Sequence, residues 1–317
     1  MKVSYSNSKG YVLIIDKPAG YTSFDIISII KKKLKLKKAG HAGTLDKFAS
    51  GVLVLCTGWT TKLVPYFMDM DKRYIATIQL GIATDTHDCE GAIIATREVN
   101  CTFEEIDACL QDKFAGTIIQ TPPLYSAVKI AGRRASDRVR RGEEITLAPR
   151  TVSIHAINVL NFDKQRAQIT LDIVCSKGTY IRALARDLGN SLQVGAHVVR
   201  LRRIAVGHFS VENALRLEQC DELPDSEMKN FDGIYAPYDA LYGFGVVEVK
   251  EKALINIKHG KHLTADDVVA AAEKSDLFRV IPEGHKVLVA IAHKQGDVYR
   301  CKRVFVEEID MLDTILQ

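Results

Sequence analysis

Residues 40–51 read Gly40-His41-Ala42-Gly43-Thr44-Leu45-Asp46-Lys47-Phe48-Ala49-Ser50-Gly51. Three glycines and a single carboxylate share this short stretch. Glycine lets a backbone approach another chain or a ligand closely. An Asp set between a turn and a strand is held on a rigid platform, which is where a positioned nucleophile belongs. On residue types alone the stretch has two readings, because Asp in a glycine-rich loop serves more often as a turn or cap residue than as a catalyst. The residues that follow, 52–56, are continuously apolar and read as a buried strand.

Working outward, residues 11–15 form an apolar strand pattern that runs into Asp16-Lys17-Pro18-Ala19-Gly20, where Pro fixes one dihedral and Gly permits the turn. The spacing predicts a helix next, capped by Thr22 or Ser23, with Phe24, Ile27, Ile30 and Leu34 on one face. Lysines fill its C-terminal end, where cations suit the helix dipole. Residues 62–68 read as helical and 73–80 as an alternating strand. Thr102 with Glu105 makes a capping box ahead of a helix over 103–114. Strands are expected near 127–130, 153–159 and 167–175, then a helix over 179–192 with Gly178 just before it. This order is α+β rather than alternating βαβ. From 219 to 245 the pattern loosens into acidic and turn residues, including Pro224, Gly233 and Pro237, as an inter-domain connector would. The expected domains are therefore 1–244 and 245–317, the second a small β-rich unit with strands near 244–249, 286–293 and 298–306.

A chain of 317 residues, 47% hydrophobic, is long enough to bury a full core. No apolar run approaches the roughly 20 residues of a membrane span. The N-terminus lacks the apolar region of a signal peptide, so the cytoplasm is the expected location. The seven cysteines are scattered without a CxxC pair, which argues against both a disulfide framework and a zinc ribbon. The net charge of +4 hides a segregation. Residues 1–50 carry +7, residues 129–150 carry +4 and residues 174–203 carry +5. The remainder is correspondingly acidic, a partition expected when one face meets a polyanion.

The stretch 40–51 resembles the catalytic loop of the TruB family of pseudouridine synthases, usually G-H-x-G-x-L-D-P-x-A-[ST]-G. Further family motifs follow in order: Asp16-Lys17-Pro18-Ala19-Gly20, Lys72-Arg73-Tyr74, and the acidic loop from Thr84 to Gly91. Pro122-Pro123-Leu124-Tyr125-Ser126-Ala127-Val128-Lys129, the segment from Cys175 to Arg182, and that from Gly195 to Arg203 complete a resemblance over roughly residues 10–210. One departure is Lys47, where the family commonly has proline; it should cost of order 1 kcal/mol or less.

The resemblance implies a pseudouridine synthase core, with a mixed, largely antiparallel sheet flanked by helices, plus a small C-terminal PUA-like β domain. It implies that the uridine at position 55 in the T loop of tRNA is converted to pseudouridine. Asp46 would be the nucleophile, and Arg182 would hold its carboxylate in the charged form and fix its orientation. Tyr74 would stack on the base and accept the proton leaving C5. Tyr180 and Leu201 would line the uracil pocket, and His41 would enter the RNA where the flipped base had been. Since the reaction neither gains nor loses an atom, no cofactor is expected. The partner would be tRNA through its T arm, with the C-terminal domain reaching the acceptor stem; no membrane partner is expected, and the chain should be a monomer. Two alternatives stay open. A retaining glycosidase would need a second carboxyl about 5 Å from Asp46, for which Asp85, Asp88 or Glu90 could be recruited. A non-catalytic RNA chaperone would fold the T arm without using Asp46.

Overall fold

The structure is a computed structural model that describes residues 10–221, 231–272 and 275–316. Residues 1–9 and Pro224 of the expected connector lie outside them. The first half of the chain holds β1 (Val12–Lys17), α1 (Ser23–Lys33), β2 (Ala39–His41), β3 (Ser50–Thr57), α2 (Val64–Met68) and β4 (Lys72–Leu80). A hairpin of β5 (Ile82–Thr84) and β6 (Ile93–Thr96) precedes α3 (Phe103–Phe114) and β7 (Gly116–Gln120). Next come a small hairpin of β8 (Lys129–Ile130) and β9 (Arg133–Arg134), α4 (Ala135–Val139), β10 (Arg150–Asp163), β11 (Gln168–Cys175), α5 (Ile181–Ser191), β12 (Ala196–Val206) and β13 (Phe209–Ser210). After β14 (Ile234–Tyr235) and α6 (Pro237–Ala240), the last part contains β15 (Gly245–Val249), α7 (Ala253–Lys258), β16 (Val268–Ala271), β17 (Phe278–Pro282), β18 (Ala290–Gln295), β19 (Val298–Val304) and α8 (Val306–Leu316).

The main sheet runs β14-β1-β3-β12-β4-β11-β10-β7, with β2 added to β3 and β13 to β12. Every pairing is antiparallel except β3 with β12. The mixed, largely antiparallel sheet expected from the resemblance is thus the observed one. A second sheet, β16-β15-β17-β18-β19, carries the C-terminal residues.

Local chemistry explains most of these elements. Thr102 caps α3 by accepting from the Glu105 amide at 3.2 Å while Glu105 accepts from the Thr102 amide at 2.9 Å, so the capping box sits where the sequence places it. Thr22 caps α1 in the same reciprocal way with Asp25. The inward face of α1, however, is Ser23, Ile26, Ile27 and Ile30, and Phe24 is 72% exposed. The expected stripe through Phe24 is therefore wrong. Its cause is distant in sequence: the Ser23 hydroxyl accepts from the Leu45 amide at 2.9 Å and donates to the Leu45 carbonyl at 3.1 Å, turning Ser23 inward and Phe24 out.

Two further expectations change. The strand near 127–130 shrinks to the two residues of β8. The connector is not uniformly loose, because Ile234 and Tyr235 pair with Leu13 and Val12 and close the sheet edge.

Three apolar clusters cover the main sheet. One lies between β4, β11 and β12 and the helices α3 and α5. Another packs Leu13, Ile15, Leu53 and Leu55 under α1. The third contains Val52, Val54, Trp59, Phe67 and Phe209, and is completed by Leu288, Ile291 and Phe305 of the C-terminal part. Trp59 and Phe305 meet with ring centroids 4.6 Å apart, and the Arg279 guanidinium lies 4.3 Å from the Tyr238 ring centroid. Among the described residues no helix is long and apolar enough to cross a membrane.

Candidate active site

The loop that carries Asp46 enters the sheet at its one parallel join. There Ser50 and Gly51 of β3 pair with Arg202 and Arg203 of β12. Gly51 has φ of +109°, and a Cβ on it would lie 2.1 Å from the Arg203 carbonyl oxygen. Only glycine allows the two strands to approach in this way.

Two buried cations hold the loop from below. The guanidinium of Arg203 donates to the Val52 carbonyl at 2.7 Å, to that of Gly43 at 3.2 Å and to that of Thr44 at 3.4 Å. The Lys17 ammonium, wholly buried, donates to the carbonyls of Pro18, Tyr21, Lys47 and Ala49. Burial pushes Lys17 down to about 8 from 10.5, and the nearby Asp46 charge opposes the shift. Together with the Ser23 bonds to Leu45, these contacts fix the backbone on both sides of Asp46.

The carboxylate of Asp46 meets Arg182 in a two-pronged pair: Nε to Oδ2 at 2.9 Å and Nη2 to Oδ1 at 3.2 Å. The two residues are 136 positions apart in sequence. Arg182 stands in the first turn of α5, whose cap residue Tyr180 is clamped by Gln120. The Gln120 side chain accepts from the Tyr180 amide at 2.8 Å and donates to its carbonyl at 3.1 Å. The remaining donors of Arg182 reach the Thr86 carbonyl at 3.1 Å, the Tyr125 carbonyl at 2.8 Å and the Asp88 carboxylate at 3.2 Å. Asp88 is itself buried and accepts from the Thr86 hydroxyl at 2.6 Å and the Glu90 amide at 3.0 Å. Arg182 therefore bridges two carboxylates of unequal access. The side chain of Asp88 is 6% exposed, whereas that of Asp46 is 34% exposed.

The open side of Asp46 faces a cleft of about 650 Å³. Tyr74, Tyr180 and Leu201 line it, as do Arg182 and Arg203. Lys129, Arg150 and Lys177 supply positive charge to the same cleft. The Arg150 guanidinium sits 5.6 Å from the Tyr180 ring centroid. Burial raises the Tyr74 phenol above its ordinary value, and the Arg203 charge works against that rise. Below it Lys72, pushed down to about 8 by burial and then by Arg203, donates to the carbonyls of Met68 and Met70.

Of the six residues singled out from the sequence, Asp46, Arg182, Tyr74, Tyr180 and Leu201 converge on this cleft. His41 does not line it; it lies half-buried on β2, opposite Leu55 of β3. Sequence reasoning assigned no role to Lys17, Gln120, Ser126 or Arg203, and offered Asp88 only as a second carboxyl for the glycosidase alternative. All but Gln120 lie within the quoted motifs, so the signal was present without these roles attached. Among the described residues no cluster of three or more His, Cys, Asp or Glu side chains could hold a metal ion.

At the β3–β12 join the mixed sheet thus presents an Arg-held aspartate to a basic cleft. Residues 31–181 match the model of the TruB family pseudouridylate synthase N-terminal domain, and residues 182–239 match that of the tRNA pseudouridylate synthase B C-terminal domain. The chain belongs to the TruB family. It is 45% identical over 230 residues to a tRNA pseudouridine synthase B of Cupriavidus metallidurans, covering 73% of this chain and 72% of that protein. It is 36% identical over 296 residues to the one of Clostridium kluyveri, covering 93% and 99%. Among solved structures, the crystal structure of a Cbf5-Nop10-Gar1 complex superposes with a TM-score of 0.70 at 27% identity, covering 93% of this chain and 84% of the other.

Proposed function

We propose that the chain isomerises the uridine at position 55 in the T loop of tRNA to pseudouridine, with Asp46 as the nucleophile. The observation that carries this reading is the two-pronged Asp46–Arg182 pair opening onto a basic cleft. Relatives named tRNA pseudouridine synthase B support tRNA as the substrate.

An attacking carboxylate must be ionised and aimed. Arg182 supplies the counter-charge and fixes both oxygens, while Asp88 and two carbonyls fix Arg182 in turn. Attack by Asp46 at ribose C1′ or at base C6 leads to cleavage of the glycosidic bond. The uracil then turns and rejoins the ribose through C5, the bond to Asp46 breaks to return its carboxylate, and the base ends with a proton on N1 in place of the one lost from C5. The proton lost from C5 passes to Tyr74 acting as a phenolate; burial raises the Tyr74 phenol above its ordinary value, and the Arg203 charge offsets part of that rise. Tyr74, Tyr180 and Leu201 hold the base by stacking and apolar contact, and no cofactor takes part.

A T-loop base must leave its stack to reach Asp46, and His41 enters the space it vacates. Lys129, Arg150 and Lys177 contact phosphates of the T arm, which sets register without reading sequence. The catalytic domain spans residues 1–244, and the PUA-like domain at 245–317 extends the contact to the acceptor stem. The enzyme works as a monomer in the cytoplasm.

The test is tritium release from C5 of uridine in an unmodified tRNA transcript, with the modified position mapped. Wild type should release label from the T-loop uridine alone, and Asp46→Asn should release none. Tight tRNA binding by both proteins without release would instead make the chain an RNA chaperone. Free uracil in place of pseudouridine would make it a glycosidase.

A further inference from the structure

Ser126 is buried, at 5% exposure, and is one of the residues that line the same cleft as Asp46. Its hydroxyl has no hydrogen-bond partner among the described residues. The other buried polar groups around the cleft are engaged: Lys17, Asp88, Gln120, Arg182 and Arg203 all make the bonds described above. A buried hydroxyl left unpaired costs free energy in the resting protein, and such a group calls for a reason. Its backbone, by contrast, is committed. The Ser126 amide donates to the Leu124 carbonyl at 3.0 Å, and its carbonyl accepts from the Ser136 amide at 3.3 Å. The preceding residue, Tyr125, gives its carbonyl to Arg182. The backbone of Ser126 is thus held next to Tyr125, whose carbonyl helps to fix the arginine that orients the nucleophile.

We propose that Ser126 is a substrate-binding residue whose hydroxyl hydrogen-bonds an oxygen of the flipped target nucleotide, either the ribose 2′-hydroxyl or a uracil carbonyl. A serine hydroxyl both donates and accepts, so it matches the 2′-hydroxyl in either direction and a carbonyl as donor. The bond forms only when the nucleotide enters, so the deficit of the empty cleft becomes affinity for the substrate. This inference rests on the uridine-isomerase reading of the site.

The experiment compares wild type with Ser126→Ala and Ser126→Cys in single-turnover pseudouridine formation, in tRNA binding and in thermal melting. A matching transcript carrying 2′-deoxyuridine at the target position is bound in parallel. Both variants should melt at or above the wild-type temperature, since Ala removes an unpaired polar group and Cys keeps its size. Both should lose about tenfold in single-turnover rate at subsaturating enzyme, with a matching loss in tRNA binding, the worth of one neutral hydrogen bond. If the binding loss disappears with the 2′-deoxy transcript, the partner is the ribose hydroxyl; if it persists, the partner is a uracil carbonyl. Wild-type rate and affinity in Ser126→Ala would overturn the proposal while leaving the isomerase reading intact. So would a lowered melting temperature in both variants, which would make the hydroxyl structural. Absence of pseudouridine with the wild-type protein would overturn both.

Discussion

Asp88→Asn separates orientation of the nucleophile from nucleophilic attack. In the native site Asp88 Oδ1 accepts from the Thr86 hydroxyl and the Glu90 amide, while Oδ2 faces Arg182 Nη1 at 3.2 Å. An asparagine is nearly isosteric, and its single carbonyl oxygen must stay at the Oδ1 position to keep both of those donors. The amide NH2 then occupies the Oδ2 position and confronts Arg182 donor against donor. Arg182 thereby loses one ion pair and half of its opposing charge in a place where neither group can turn to water. Setting two donors against each other there in place of the ion pair costs about 2–3 kcal/mol. If that deficit appears as misalignment of the Asp46–Arg182 pair in the transition state, kcat/KM falls on the order of 30- to 150-fold. Affinity for tRNA should change less than about threefold, because the RNA-facing lysines and arginines are untouched. The assay is single-turnover pseudouridine formation beside filter binding on the same transcript. A wild-type rate, or a loss residing wholly in the dissociation constant, would refute the view that Asp88 acts through Arg182.

Lys17 gives a pH prediction. Its proton leaves the folded protein at about 8 rather than 10.5, so raising the pH through that value removes the charge from the bonds under Lys47 and Ala49. The rate should fall on the alkaline side with an apparent pKa near 8, and Lys17→Met should be slow throughout and lack this limb; a limb that survives in the variant would assign it to Lys72, pushed down to the same value. Stability runs the other way. Between about 8 and 10.5 the unfolded chain holds a proton at Lys17 that the folded chain has lost, so this group's contribution to stability rises with pH as the rate falls. At the parallel join, Gly51→Ala would place a methyl 2.1 Å from the Arg203 carbonyl oxygen at a φ of +109°. It should destabilise the protein by roughly 4 kcal/mol in denaturant unfolding, and a midpoint equal to wild type would show that the join can open without loss.

What the sequence makes legible here is whatever its own neighbourhood determines. The α3 capping box lies within four residues, and the chain shows it directly. The alternation of β4, which buries Lys72, Tyr74, Ala76, Ile78 and Leu80 on one face, is a local periodicity of two. Only family resemblance links Asp46 to Arg182 in the sequence, because no spacing predicts a pair 136 residues apart. The same limit explains the misplaced face of α1, set by a hydroxyl that bonds Leu45 rather than by the helix's own apolar pattern. It also explains β14, whose two residues look like connector until β1 is placed beside them. Asp88 and Lys17 were visible within motifs, yet their tasks depend on partners supplied by other elements. A buried cation that ties loop carbonyls leaves no periodic trace.

The register of the parallel join ties fold to chemistry. Side chains alternate along a strand, so Leu201 and Arg203 of β12 share one face while Arg202 turns to the other and pairs with Asp16 at 2.8 Å. On the adjacent β4, Leu201 is opposite Ala76 and Arg203 is opposite Tyr74. The face that meets the cleft therefore carries Tyr74, Leu201 and Arg203 together. Irregularities between Val198 and Arg200 and between Arg203 and Ala205 flank this short segment, and bulges of this kind end or restart the ladder beside functional sites. A slip of one residue would exchange Leu201 and Arg203 for Arg200 and Arg202, removing the apolar wall and the cation beneath Gly43 and Thr44 in one step. Gly51 opposes that slip, since its close approach to Arg203 is possible only where the chain has no side chain. The position of the Asp46 loop over Tyr74 is thus set by the same backbone contact that fixes which face of β12 is presented to the cleft.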